Sequence, residues 1–297
     1  MRDQQSLKPV SSRTLRTGEG PEPTRMKALL TVAPVYLEFA KKSFQRQLQY
    51  KTANYAGFIV NVFFFVVRAY VFMALYENRG VVAGYDVVDA ITYAGLTQAM
   101  IMTVGIFGRG GREISEAVRS GQVATDLMKP IDYQFFAFSR QLGRSLYFFF
   151  FRGLPIFVVM VIFFQWNPPQ SWQAMLLFLP SLALAAVITF SFSFIAGISA
   201  FWLMDVSGVQ QIIMGTGIFL SGFLIPLSFF PSGFDTFCEW LPFAGQSYVP
   251  VAIYLGKYVG AQMVTMLMRQ VVWAVILIML SRAFMSFAVR KLVIQGG

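Results

Sequence analysis

The stretch GGREISEAVRSGQVATDLMKPIDYQF, residues 110–135, is charged and helix-forming, yet it sits between two oily runs. On one side lies VVDAITYAGLTQAMIMTVGIF (87–107), on the other SLYFFFFRGLPIFVVMVIFF (145–164). Runs of about twenty apolar residues match the ~30 Å of a bilayer's hydrocarbon core. The polar stretch therefore reads as a connection between two membrane spans, and the question becomes what a membrane protein needs it for.

Composition agrees. Of 297 residues, 56% are hydrophobic and only 13% charged, where a soluble domain carries about a quarter. Six spans are expected, near 54–76, 87–107, 145–164, 174–204, 208–228 and 263–289. The predicted fold class is an all-α membrane protein, one six-span domain over 31–297. Residues 1–30, rich in Ser, Thr, Pro, Gly and Arg without an apolar run, are expected to form a disordered basic tail. In APVYLEFAKKSFQRQLQY (33–50) a polar face separates from a stripe of Leu37, Ala40, Phe44 and Leu48. That pattern predicts an interfacial elbow helix ahead of the first span.

The distribution of Lys and Arg orients the chain. The first 51 residues hold ten, against four acids; the 108–144 connection holds six, and Arg290 and Lys291 follow the last span. The connections ENRGVVAGYD and QWNPPQSW hold one and none. Both termini and the 110–135 segment are thus expected on the cytoplasmic side of the cytoplasmic (inner) membrane. The net charge of +10 belongs to this pattern and to anionic lipid headgroups, not to nucleic acid.

The chemistry available is limited. There is no histidine and a single cysteine, Cys238, so no catalytic constellation, metal site or internal disulfide is expected. A phosphate-cradling loop needs Gly-x-x-x-x-Gly-Lys-Ser/Thr; the one Gly-Lys here, Gly256-Lys257, is followed by Tyr258. ATP, if it drives this protein, binds elsewhere. Arg68, Arg152, Arg269 and Arg282 fall within or near apolar spans, each costing roughly 2.5–3.5 kcal/mol at a helix centre. They either meet a polar substrate or pair with a neighbouring helix. Gln98, Met102, Phe219 and Phe223 either line a path for an amphipathic molecule or pack as ordinary membrane residues.

Two blocks carry a family resemblance. VRSGQVATDLMKPIDYQFFAFSRQLGR (118–144) resembles the region after the second span of ABC-2 type transporter permeases, with Gly121, Val123, Leu127, Lys129 and Pro130 in the matching places. SGFLIPLSFFPSGFDTFCEWLPF (221–243), rich in Gly and Pro, is similar to that family's exit from the fifth span, where broken helices re-enter the outer leaflet. The resemblance implies a coupling helix over 112–120 that seats in a separate ATPase, which would carry ATP and Mg. Arg112, Glu113, Glu116 and Arg119 would make charged contacts, Ile114 and Val118 would be apolar anchors, and Gly121, Leu127, Lys129 and Pro130 would shape the turn behind. It also implies two ATPases and a second permease, identical or related, exporting a drug, lipid or lipid-linked glycan. The alternative is an ion-coupled secondary transporter without an ATPase, which would need a carboxylate at membrane depth. Asp86 and Asp89 fall at the outer end of span two, Asp205 in the turn between spans four and five and Glu239 in the outer broken helices, none of them at mid-membrane.

Overall fold

A computed structural model describes residues 25–105, 109–203 and 205–291. The tail expected over 1–30 lies outside them up to position 24. The described residues are helical and include no β-strand beyond an isolated bridge between Val82 and Tyr85.

Among the described residues, five helical stretches are long and apolar enough to cross a membrane: Thr52–Tyr76, Val87–Arg119, Tyr133–Phe163, Trp172–Phe201 and Ala261–Val289. They correspond to the first four expected spans and the sixth. The third begins earlier than expected, because YQFFAFSRQLGR does not form a separate segment. It is α6 (Tyr133–Phe148), which runs through a π-helical turn, Phe149–Gly153, into α7 (Leu154–Phe163). The second expected span is α3 (Val87–Met100) followed by another π turn, Ile101–Gly105, where Gly105 takes the left-handed φ of +87°.

The expected fifth span, 208–228, is interrupted. Its helix α9 (Ser207–Leu220) has 14 residues, about 21 Å at 1.5 Å each, short of the hydrocarbon thickness. It stops because Gly222 turns left-handed at φ +71° and Pro226 follows. A Cβ at Gly222 would also crowd Leu227, the Tyr93 hydroxyl and Tyr248, at 3.0–3.1 Å. The chain then breaks into short pieces: a 3-10 turn Leu227–Phe229, α10 (Phe234–Trp240), a second turn Pro242–Gln246, and α11 (Tyr248–Tyr254). All seven residues of α11 are buried.

Span two is the hub: 81% of its apolar window is buried inside the chain, against 22% for the first and last spans. One side of α3 meets α2 (Lys51–Tyr76) and α7 through Phe65, Ala90, Ala94, Ile156 and Met160. The other meets α11 and α8 (Trp172–Ile198) through Tyr93, Met100, Phe178 and Tyr248. Gly95 makes room for the Met160 sulfur. Polar pairs tie α8 to the last span, α12 (Ala261–Val289). Gln270 accepts from the Ser181 hydroxyl (2.7 Å) and donates to the Ser181 and Gly245 carbonyls (2.9 and 2.8 Å). Buried amides satisfied in this way hold helices where apolar contact alone cannot choose between helix and lipid.

The amphipathic helix α1 (Arg25–Leu48) lies along α6. Its buried face is Tyr36, Phe39, Ala40, Ser43 and Phe44, whereas Leu37 and Leu48 of the expected stripe are exposed. Phe39 meets Phe136 edge to face (4.7 Å), and Ser43 donates to the Arg140 carbonyl (2.7 Å). The crossing is tightest at Gly143, where an added Cβ would lie 1.9 Å from the Ala40 carbonyl oxygen. Gly143→Ala is therefore expected to cost about 1–3 kcal/mol through overpacking and to lower the melting temperature of the purified protein. Gly215→Ala, inside α9 with nothing within 4 Å of the added Cβ, should leave it unchanged or raise it slightly, alanine being the better helix former. Equal melting curves for the two variants would refute this α1–α6 contact.

Candidate functional site

The 110–135 stretch folds into α4 (Arg109–Arg119), a corner at Gly121, and α5 (Gln122–Leu127). Gly121 adopts φ +74°, which a glycine reaches without the penalty a Cβ would bring. One face of α4 is buried in its own chain. Gly111 and Gly197 let α4 and α8 cross backbone to backbone: a Cβ at Gly111 would sit 2.5 Å from the Ser193 carbonyl oxygen, and one at Gly197 would sit 2.7 Å from that of Gly111. Ile114 enters a cluster with Val123, Tyr133, Phe136, Phe190 and Phe194.

Glu113 is held by two arginines of α6. Arg144 donates to both its oxygens (2.7 and 3.1 Å), and Arg140 to one (3.1 Å). A bidentate guanidinium–carboxylate pair fixes geometry as well as charge, so α4 is tied to span three as well as to span four. Glu113 and Ile114, expected to meet a partner, thus face inward; Ile114 is only 5% exposed, and Val118 is half-buried. The reason is the 3.6-residue period: the apolar stripe of α4 faces α8.

The outward face carries Arg112, Glu116, Arg119 and Ser120, all exposed. Arg119 pairs with Asp205 (3.2 Å) in the connection between α8 and α9. The Ser207 backbone N–H and hydroxyl, and then Arg119, hold the Asp205 carboxyl below its usual range. Beyond the corner, Lys129 pairs with Asp126 (2.6 Å) and lies over the Phe136 ring (5.4 Å). Leu127 is half-buried, and Pro130 is exposed. Between them Met128 projects outward, 78% exposed. Sequence reasoning passed over Met128 because it lies off the helical stripe. Met128 lies inside the turn closed by Asp126 and Lys129, where Leu127 takes the inward side and leaves Met128 outside.

The membrane-depth residues gather elsewhere. Where α9 breaks, the carbonyls of residues 221–224 fall outside any helix ladder, and each finds a donor. Ser221 accepts from the Ser247 hydroxyl (2.8 Å) and the Tyr248 amide (3.0 Å). Gly222 accepts from the Tyr93 hydroxyl. Phe223 and Leu224 both accept from Arg68 (2.8 and 3.0 Å). The same guanidinium reaches Thr97 (3.1 Å) and Gln98 (3.4 Å) on span two and lies 5.0 Å from the Phe223 ring centre. Arg68 thus pins span one, span two and the broken exit together. Of the four residues considered for a path, Gln98 and Phe223 belong to this network. Met102 packs beside the core at the next turn, and Phe219 is exposed and stacked on Phe230.

The other arginines also meet polar groups or rings. Arg152 donates to the Ala53 carbonyl (3.4 Å) and Asn54 (3.3 Å), in a space that Gly57 leaves open. Arg282 pairs with Asp132, and Arg269 lies near Glu239 (3.9 Å) over the Trp240 ring. Asp89 is bound by Lys257 and by Asn167 (2.7 Å).

Residues 62–296 match the model of a family described as ABC-2 family transporter protein. A comparison with curated proteins found no match.

Removing Arg68 strands two carbonyls within the membrane-spanning region. Unsatisfied buried groups cost about 1–3 kcal/mol each, so Arg68→Met is expected to lower the melting temperature in detergent by on the order of 10 °C. Arg68→Lys should recover little, since an ammonium cannot span acceptors laid out for a planar fork. A full rescue by lysine would show that charge, not the fork, matters here.

Proposed function

The chain belongs to the ABC-2 transporter family, a membrane permease of an ABC transporter, and on that premise we propose that the α4–α5 corner is where an ATPase subunit pushes. Family membership implies partnership with ABC ATPases; the surface they touch is our reading. Its contact residues are Arg112, Glu116, Arg119, Gly121, Met128, Lys129 and Pro130, with Met128 as the apolar anchor. Glu113, Ile114, Val118 and Leu127 hold that surface from behind.

The observation that carries this reading is the clamp on the back of α4. A helix joined to α6 by a forked ion pair and to α8 by a glycine crossing cannot move alone. Force applied to its outer face is passed to spans three and four rather than absorbed by a loose loop.

On the same reading, α9 and the broken segment to 230 complete a sixth crossing, and α10 and α11 re-enter the outer leaflet. Arginine and lysine placement sets both termini and the α4–α5 corner in the cytoplasm of a cytoplasmic-membrane protein, with α1 in the interface. Two permeases, identical or related, and two ATPases would form the transporter. It would export an amphipathic drug, lipid or lipid-linked glycan, with Phe219 among the residues such a molecule meets.

The test is capture of the tagged chain from its native membrane in mild detergent. The wild type should retain an ATPase subunit, and Glu116→Lys with Met128→Asp should lose it while still inserting in the membrane. Undiminished capture by the double variant would move the contact surface elsewhere. An ATPase-free wild-type complex would favour the ion-coupled alternative, for which Asp89 is the first residue to test.

A further inference from the structure

We infer that the space between spans three and four holds one acyl chain of a bilayer phospholipid. A cavity of about 330 Å³ lies between α3, α7 and α8, walled by Leu96, Met100, Phe157, Trp166, Phe178 and Leu182. It follows Leu96 in α3 to Thr103 in the π turn that continues it, and Met175 to Leu182 in α8, a run of about 10 Å along each. An apolar cavity of about 150 Å³ accommodates a benzene ring, so a slot of about 330 Å³ has room for a segment of one acyl chain.

Two further observations make it a site rather than a packing gap. First, both π turns of the described residues border it: Thr103 lies in one, and Phe149 and Gly153 are the ends of the other. Such turns make up well under 1% of residues and concentrate at functional sites. They widen the wall in the backbone itself, so side-chain relaxation cannot close it.

Second, the mouth opens toward lipid. Phe149, Leu154 and Leu179 line the cavity and are exposed, continuous with exposed Val158, Ile162 and Leu176. Water would find too few polar partners there, and a void would forfeit dispersion contacts along its whole lining. Hydrocarbon supplied from the surrounding bilayer remains. The inference rests on the chain spanning a membrane and not on its ATPase.

Trp166 reports on the slot. The full-length protein is placed in phosphatidylcholine vesicles containing rising fractions of phosphatidylcholine brominated on its chains. Trp166 emission is isolated as the difference between wild type and Trp166→Phe. A single held chain quenches in direct proportion to the unbrominated fraction lost, whereas contact with several annular lipids gives a steeper, curved dependence. The expected result is the proportional form, with quenching lost in Leu154→Phe/Leu179→Phe, which fills the mouth at two exposed positions. Should that variant not fold, Leu182→Phe at the inner end and the wild-type curve decide. An unquenched Trp166, a curved dependence, or unchanged quenching in a folded, filled variant would overturn the inference.

Discussion

Hydrocarbon offers no hydrogen bonds, so any backbone that leaves a helix at membrane depth must be satisfied by the protein itself. That constraint organises this fold. The exit from α9 frees four successive carbonyls, and the donors for them come from Arg68 on span one, Tyr93 on span two, and Ser247 and Tyr248 at the start of α11. Spans one and two cannot part from the broken segment without exposing these groups. The burial of span two and of all of α11 follows from the same requirement.

The arginine that meets this need also explains why a membrane span tolerates it. A guanidinium carries five donors in a planar fork, and Arg68 distributes its bonds over carbonyls, a hydroxyl and an amide. Charge at membrane depth is costly when solvated by nothing; here the dipoles of an unwound turn take the place of water.

At the charged end of the bundle a different principle governs. The α4–α5 corner is rigid on its inner side and exposed on its outer side. Glu113 and Ile114 give it rigidity through α6 and α8, and Arg112, Glu116 and Met128 give it a surface. The glycine pair at 111 and 197 allows helix backbones to touch, which a pair of larger residues would prevent. The sequence of α4 provides both the held inner face and the exposed outer face in eleven residues.

Hydropathy and length alone determined that the chain is a helical membrane protein, because a span must be apolar over a fixed thickness whatever it packs against. They placed six spans, of which five are found; the expected fifth, 208–228, ran through Gly222 and Pro226, whereas the helix stops at Leu220. Tertiary structure decided what local pattern could not. The stripe of α4 marked a buried face but could not say whether that face met another protein or α8. The charge of Glu113 did not reveal that Arg140 and Arg144 stand opposite, since they are distant in sequence. Met128 became the exposed apolar residue only once the corner had folded. Arg68 stood out in the sequence as the deepest arginine and the best candidate for an interhelical partner. That its partners would be the carbonyls of 223 and 224 was not legible, because hydrogen-bond partners in a membrane are chosen by the fold and not by the order of the chain.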